Sequence, residues 1–387
     1  MEGVGAIEGD NTFSGELFVS QQERTFLENL QSSRKSGPES KTITIAELEN
    51  KLEKIVQIKG EEGLKQIRDN AKGIADKLGM QSDFEKLNKL ISALLSAQPS
   101  KILSSPLAIA RAFGNPYDQS RIDLFEILFL ELKQREFKNV VDRNTTNKAF
   151  QNFPFFEAYF SNYIERIRFE VIEAKTIIET NTPVFNRDED SHDILGTYKL
   201  VSNKTEMNVT PTSPEEFIFI LQYRHRLLLE ARVSKMPGVF KDKNNRAGET
   251  FFVDFELVKG TLIKGFDFYK ALTDPFAKAA YIMFMVSEIH PFLDGNGRIA
   301  RVMMNAELVK AVQTRIIIPT VYRDDYLGAL RRLTRQQDPL AYIKMLQRAH
   351  DFSATLKANT MEDVELQLEL SNAFKEHDEA KLKIIIQ

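Results

Sequence analysis

The sequence predicts a mainly α fold, and three observations carry that reading. Apolar residues recur at helical spacing through most of the chain. Helix-start signatures repeat: Thr44-Ile45-Ala46-Glu47 fits a capping box, and Ser213-Pro214-Glu215-Glu216 joins an N-cap, a first-turn proline and a capping-box glutamate. No stretch sustains the alternation that a large sheet requires.

The 387 residues are enough for two domains with their own cores. The 52 basic and 55 acidic residues nearly cancel, so bulk charge gives no support for a nucleic-acid or membrane partner. The absence of cysteine excludes disulfides, thiolate catalysis and cysteine-based zinc sites. The five histidines, at 192, 225, 290, 350 and 377, lack metal-site spacing. No basic, apolar leader opens the chain, and the longest apolar run, 279–286, is too short to span a bilayer. A cytoplasmic location is therefore expected, and the sequons at Asn144, Asn203 and Asn208 read as polar surface.

Four regions follow in order. Residues 1–42 form an N-terminal segment ending in a polar linker, 32–41. Residues 43–213 read as a helical domain without visible chemistry. Its clearest helices are 46–57, 64–78, 83–97, 120–137 and 155–178, with loops near Pro99, Pro116 and Pro154. Phe125, Leu128, Phe129 and Leu132 form a stripe that suits a core. Residues 183–213 are polar and broken, which predicts a domain boundary before a third region, 214–355. There a helix over 217–231 precedes Pro237-Gly238, and β-prone residues flank Asn244-Asn245-Arg246-Ala247-Gly248, as in a surface hairpin. Asp274 and Pro275 start a helix that should end near His290, because Pro291 discourages continuation. Later helices begin near Tyr322 and at Asp338-Pro339. Residues 356–387 form a charged, partly amphipathic tail, and no internal repeat is visible.

The stretch from His290 to Arg301 reads His-Pro-Phe-Leu-Asp-Gly-Asn-Gly-Arg-Ile-Ala-Arg. His290 alone could be a cation settling a helix C-terminus. The Gly295-Asn296-Gly297 turn, however, feeds a second helix and exposes N–H groups suited to an anion. Arg298 and Arg301 lie one turn apart at the helix end where cations oppose the dipole, an arrangement explained by an anion between them. Asp294 is either an N-cap or an oxygen ligand for Mg²⁺. Together these residues suit phosphoryl or nucleotidyl transfer to a hydroxyl.

The stretch resembles the Fic-domain signature, His-Pro-Phe-x-Asp/Glu-Gly-Asn-Gly-Arg-x-x-Arg, with every fixed position filled. The resemblance covers about residues 214–352 and is strongest at 281–310. It implies a Fic helical core with a short β-hairpin flap, preceded by a helical domain, and AMP transfer from ATP to a protein hydroxyl. By resemblance, His290 is the base, Asp294 holds Mg²⁺, and Gly295, Asn296 and Gly297 cradle phosphate oxygens. Arg298 and Arg301 grip the β- and γ-phosphates, and Phe292 anchors the loop. Residues 245–253, among them Arg246, Gly248, Thr250 and Phe251, would be the flap that holds a target segment as an added strand. Tyr326 falls where the family approaches adenine, although a packing role fits equally. Ala6-Ile7-Glu8-Gly9 resembles the family's inhibitory Ser/Thr-x-x-x-Glu-Gly/Asn, which would set Glu8 against Arg301, but Val4 stands where the hydroxyl is expected. The family also contains transferases of other phosphate groups, and AMP removal or an inactive toxin–antitoxin component are the alternative readings. Neither the target nor any self-association is legible.

Overall fold

The computed structural model describes residues 5–14, 17–32, 40–95 and 102–385. Most of the expected linker, the loop at Pro99 and Val4 therefore lie outside the described residues. The chain divides into two compact units, residues 1–117 and 118–387.

The first unit opens with a hairpin, β1 (Asn11–Ser14) and β2 (Leu17–Val19), followed by α1 (Gln22–Asn29), α2 (Ile45–Leu78), α3 (Gln81–Leu95) and α4 (Pro106–Ala112). The Thr44 capping box starts α2, and Gly60, at φ 69° and ψ −178°, interrupts it between the two helices the sequence predicts. Leu27, Leu48, Leu52, Leu64, Leu87 and Ile91 are fully covered in the core.

The second unit runs through α5 (Gln119–Lys133), α6 (Asn147–Ile164), α7 (Val171–Thr180), α8 (Asp188–Val201), α9 (Lys204–Met207) and α10 (Pro214–Leu228). A second hairpin, β3 (Arg246–Ala247) and β4 (Thr250–Phe251), pairs antiparallel. Then follow α11 (Val258–Ala271), α12 (Pro275–Ile289), α13 (Asn296–Lys310), α14 (Arg323–Gln336), α15 (Pro339–Ser353) and α16 (Met361–Leu370). The protein is thus mainly α, as predicted. The central pair is α12 and α13. In α12, every residue from Ala279 to Val286 is at most 1% exposed, so this helix is apolar on all sides because it is buried on all sides. Among the described residues no helix is long and apolar enough to cross a membrane.

Two expectations need correction. Residues 183–213 are no domain boundary. Their polar residues build α8, whose Asp193 is 1% exposed and ion-paired with Arg232 and Arg298. A buried ion-pair network looks like a loop in composition. The helix expected over 155–178 is two helices. Pro154 lies inside α6, and the break comes at Arg166, whose φ is 70°. That left-handed turn sets the C-terminus of α6.

Gly196 lets α8 meet α10 closely: a Cβ there would collide with the Leu228 carbonyl and stand 3.0 Å from the Leu227 carbonyl. Gly196→Ala should lower stability by ~1–3 kcal/mol through overpacking. Gly73→Ala, in α2 with open space around it, should not destabilise and can serve as the control in denaturant melts.

Candidate active site

The site grows from the turn between α12 and α13. His290 ends α12 in the left-handed region, at φ 54° and ψ 59°, and Gly295 starts α13 at φ 72°. Between these reversals the main chain is held by side chains. Asn296 Oδ1 accepts from the Phe292 N–H at 2.9 Å, and its Nδ2 donates to the Phe292 carbonyl at 2.8 Å. Asn245 donates to the same carbonyl at 3.0 Å, and the Lys241 N–H donates to the Pro291 carbonyl. Phe292 is fully buried, with its ring stacked 3.6 Å from that of His225. The Asn296 side chain thus closes the loop and is not free to cradle an anion, which corrects the expectation for it.

His225 was not singled out from the sequence. Its Nδ1 accepts from the Gly238 N–H at 2.9 Å, so its Nε2 carries the proton that it donates to the Asp294 carbonyl at 3.0 Å. Burial pushes its pKa down to about 4.

The His290 ring stacks on Phe252 at 3.7 Å. Its Nδ1–H donates to the Ser287 carbonyl at 3.1 Å, which leaves Nε2 with a lone pair. Burial pushes its pKa down to about 4, against the pull of that carbonyl. His290 lines a cavity of about 590 Å³ together with Gly297, Arg301, Tyr326, Phe252 and Glu165. The hairpin supplies Ala247, Gly248 and Thr250 to the same wall. Hence the structure brings His290, Gly297, Arg301, Tyr326, Gly248 and Thr250 together. Arg246 and Phe251 occupy the opposite face of the hairpin. Gly295 and Asp294 sit in the turn, where the Gly295 N–H donates to Asp294 Oδ1 at 2.7 Å. Among the described residues Asp294 Oδ2 has no partner, and the side chain is 37% exposed. Arg298 is 2% exposed and pairs with Asp193 at 2.7 Å, away from the cavity wall.

Arg301 is fully engaged. Its Nε donates to Ser161 Oγ at 3.0 Å, and its Nη2 to the Ser161 carbonyl at 2.8 Å and to Glu165 Oε1 at 2.7 Å. The Glu165 carboxylate also lies against Gly297, where a Cβ would collide with it, so it occupies the anion cradle at the α13 N-terminus. Burial works to raise the Glu165 pKa, but Arg301 and Arg298 outweigh it and hold the group below its ordinary value. The carboxylate on Arg301 is therefore Glu165, which corrects the assignment of Glu8. Glu8 belongs to the first unit, in a turn rather than a helix. Its side chain is 94% exposed and 3.9 Å from Lys77. The signal for Glu165 was in the sequence: Ser161-Asn162-Tyr163-Ile164-Glu165 fits Ser-x-x-x-Glu. The pattern breaks only at Arg166, in the left-handed position that favours Gly or Asn.

A model of the Fic/DOC family matches residues 218–308, from α10 into α13. A Fido domain-containing protein of Dictyostelium discoideum is 31% identical over 103 residues, 25% of this chain and 72% of that protein. This chain belongs to the Fic/DOC family. Protein adenylyltransferase Fic of Drosophila persimilis is 36% identical over 72 residues, 19% of this chain and 14% of that protein, so the match spans a small part of that relative. The solved structure of C. elegans Fic-1, residues 134–508, aligns with a TM-score of 0.44 and 14% identity, covering 86% of this chain and 90% of that one.

His225 and His290 make stability depend on pH with a definite sign. Each would take a proton near pH 6.5 when unfolded but only near about 4 when folded. Between those values the unfolded chain binds more protons, so stability falls as pH drops from about 6.5 to about 4. Melting temperatures across that window should show the fall, and His225→Phe should flatten the slope while lowering stability at pH 7.

Proposed function

We propose that this chain transfers AMP from ATP to a hydroxyl of a protein. The observation that carries the reading is the unprotonated Nε2 of His290, fixed by the Nδ1–H bond to Ser287 beside an anion cradle. A relative named as a protein adenylyltransferase supports the same class. In the proposed step, the target oxygen forms a bond to the α-phosphorus of ATP and pyrophosphate leaves. The hydroxyl proton goes to His290 Nε2. The α13 N-terminus and Gly297 bind phosphate oxygens, and Arg301 takes the terminal phosphate once Glu165 has left. Tyr326 forms part of the nucleotide wall, and the hairpin at 245–253 holds the target segment by main-chain bonds.

Asp294 fits the metal that this reaction requires. Among the described residues no group of three or more acidic or histidine side chains is placed to hold a metal ion, but Mg²⁺ bound with substrate phosphates needs only one or two carboxylates. Asp294 offers a free, partly exposed Oδ2 at the start of α13. The ion, when bound, would neutralise charge on the phosphates. Asp294→Ala should weaken ATP binding in Mg²⁺ but leave it unchanged in EDTA. A plain N-cap would instead lose about 1 kcal/mol of stability with no change in metal dependence.

As it stands, Arg301 and the cradle are held by Glu165, so the resting protein is proposed to be self-inhibited. With α-labelled ATP, Glu165→Gly should increase protein labelling about 10- to 100-fold, the equivalent of one hydrogen-bonded charge pair of ~1.5–3 kcal/mol. Adding His290→Ala should remove about 10²–10⁴ of that rate while ATP still binds. Labelling should stay flat as pH falls from 8 to about 5, because the base is already neutral there. A mass increase matching AMP on the labelled protein is expected, and any other mass would overturn the reading.

A further inference from the structure

The hairpin is tied to the body of the second unit by a residue from outside the family-matched segment. Arg121, on α5, donates from Nη2 to the Phe251 carbonyl at 2.7 Å. Its Nε lies 2.9 Å from Glu288 Oε1. Glu288 is 3% exposed, precedes His290 by two residues, and accepts from Thr334 Oγ1 at 2.7 Å through its other oxygen. One guanidinium thus joins the hairpin to the helix that presents the base.

The strand register says what this bond does. The Phe252 N–H donates to the Asn245 carbonyl at 3.4 Å, so that pair faces inward across the hairpin. In an antiparallel ladder the next pair, Arg246 and Phe251, turns its N–H and C=O groups outward. On β4 the outward carbonyl of Phe251 is taken by Arg121. On β3 the outward N–H and C=O of Arg246 make no hydrogen bond among the described residues. Thr250 and Phe252 share the cavity face of the hairpin: Phe252 covers His290, and Arg335 donates to Thr250 Oγ1 at 3.0 Å.

We propose that Arg121, anchored by Glu288, is the positioning residue of the flap. It closes the outer edge of β4 and leaves the β3 edge at Arg246 as the place where an extended target segment adds. The docking half rests on the reading of this chain as a transferase acting on proteins. The anchoring half does not.

The test uses the full chain with Glu165→Gly as parent. Arg121→Gln combined with Glu288→Gln removes both charges at once, so no buried carboxylate is left unpaired. Hydrogen exchange of peptides covering 245–253 should quicken about tenfold, while the melting temperature and the Kd for ATP by calorimetry stay within twofold or a few degrees of the parent. With dephosphorylated casein as an unfolded, hydroxyl-bearing acceptor, the acceptor KM should rise several-fold and kcat should recover at saturation. A role confined to stability would move the melting temperature and not split KM from kcat. Arg246→Pro deletes the outward N–H of β3 without touching the inner ladder, and should also raise the acceptor KM several-fold with flap exchange unchanged. Flap exchange within twofold of the parent in the double variant overturns the anchor. An unchanged acceptor KM in Arg246→Pro overturns the docking edge. A parent that labels nothing overturns the transferase reading and the docking edge with it, while exchange still decides the role of Arg121.

Discussion

The second unit depends on one constraint: the guanidinium of Arg301 is buried and must be satisfied. Arg301 is 5% exposed at the N-terminal end of α13, where the helix dipole is unfavourable to a cation. An unpaired charge there would be costly, so the surrounding chain supplies acceptors. They come from the end of α6: the hydroxyl and carbonyl of Ser161 and the carboxylate of Glu165. To deliver them, α6 must stop at Glu165. A non-glycine residue, Arg166, takes the left-handed conformation that stops it, at a cost of about 1–2 kcal/mol. The shape of the cavity follows, because Glu165 fills the cradle beside Gly297.

A second layer of order comes from satisfying the main chain of the turn. Two backbone reversals, at His290 and Gly295, leave the groups between them without helical partners. Asn296, Asn245, the Lys241 amide and His225 provide those partners. Lys241 is itself buried at the foot of the hairpin, which pushes its pKa down to about 8, and its Nζ donates to Asn245 Oδ1 at 2.7 Å. The residues that fix the turn therefore also fix the hairpin, so that Phe252 lies over His290. The chemistry of the site is a by-product of hydrogen-bond accounting in a turn that has too few partners of its own.

What was legible in the sequence was contiguous. The run from His290 to Arg301 is a turn and the start of α13, so local spacing brings His290, Gly297 and Arg301 to one wall. The hairpin at 245–253 was legible for the same reason, from Gly248 and its β-prone flanks. Legibility failed where a partner comes from far along the chain. Glu165 lies 136 residues before Arg301, and its local pattern is broken at Arg166. Glu8 matched a similar pattern with no helix to carry it. His225 looked like any helical histidine, since only the folded chain sets it against Phe292 and Asp294.

The sequence by itself determined a mainly α protein, the turn that carries His290 and its glycines, and the hairpin ahead of them. Those depend on short-range terms: helical periodicity, caps and glycine conformations. Only the tertiary structure decided which carboxylate answers Arg301, that Arg298 answers Asp193, and that the polar stretch 183–213 carries α8 as part of the second unit and is not a boundary. Buried charges choose their partners by proximity in a low-dielectric interior, and that proximity is created by packing helices distant in sequence.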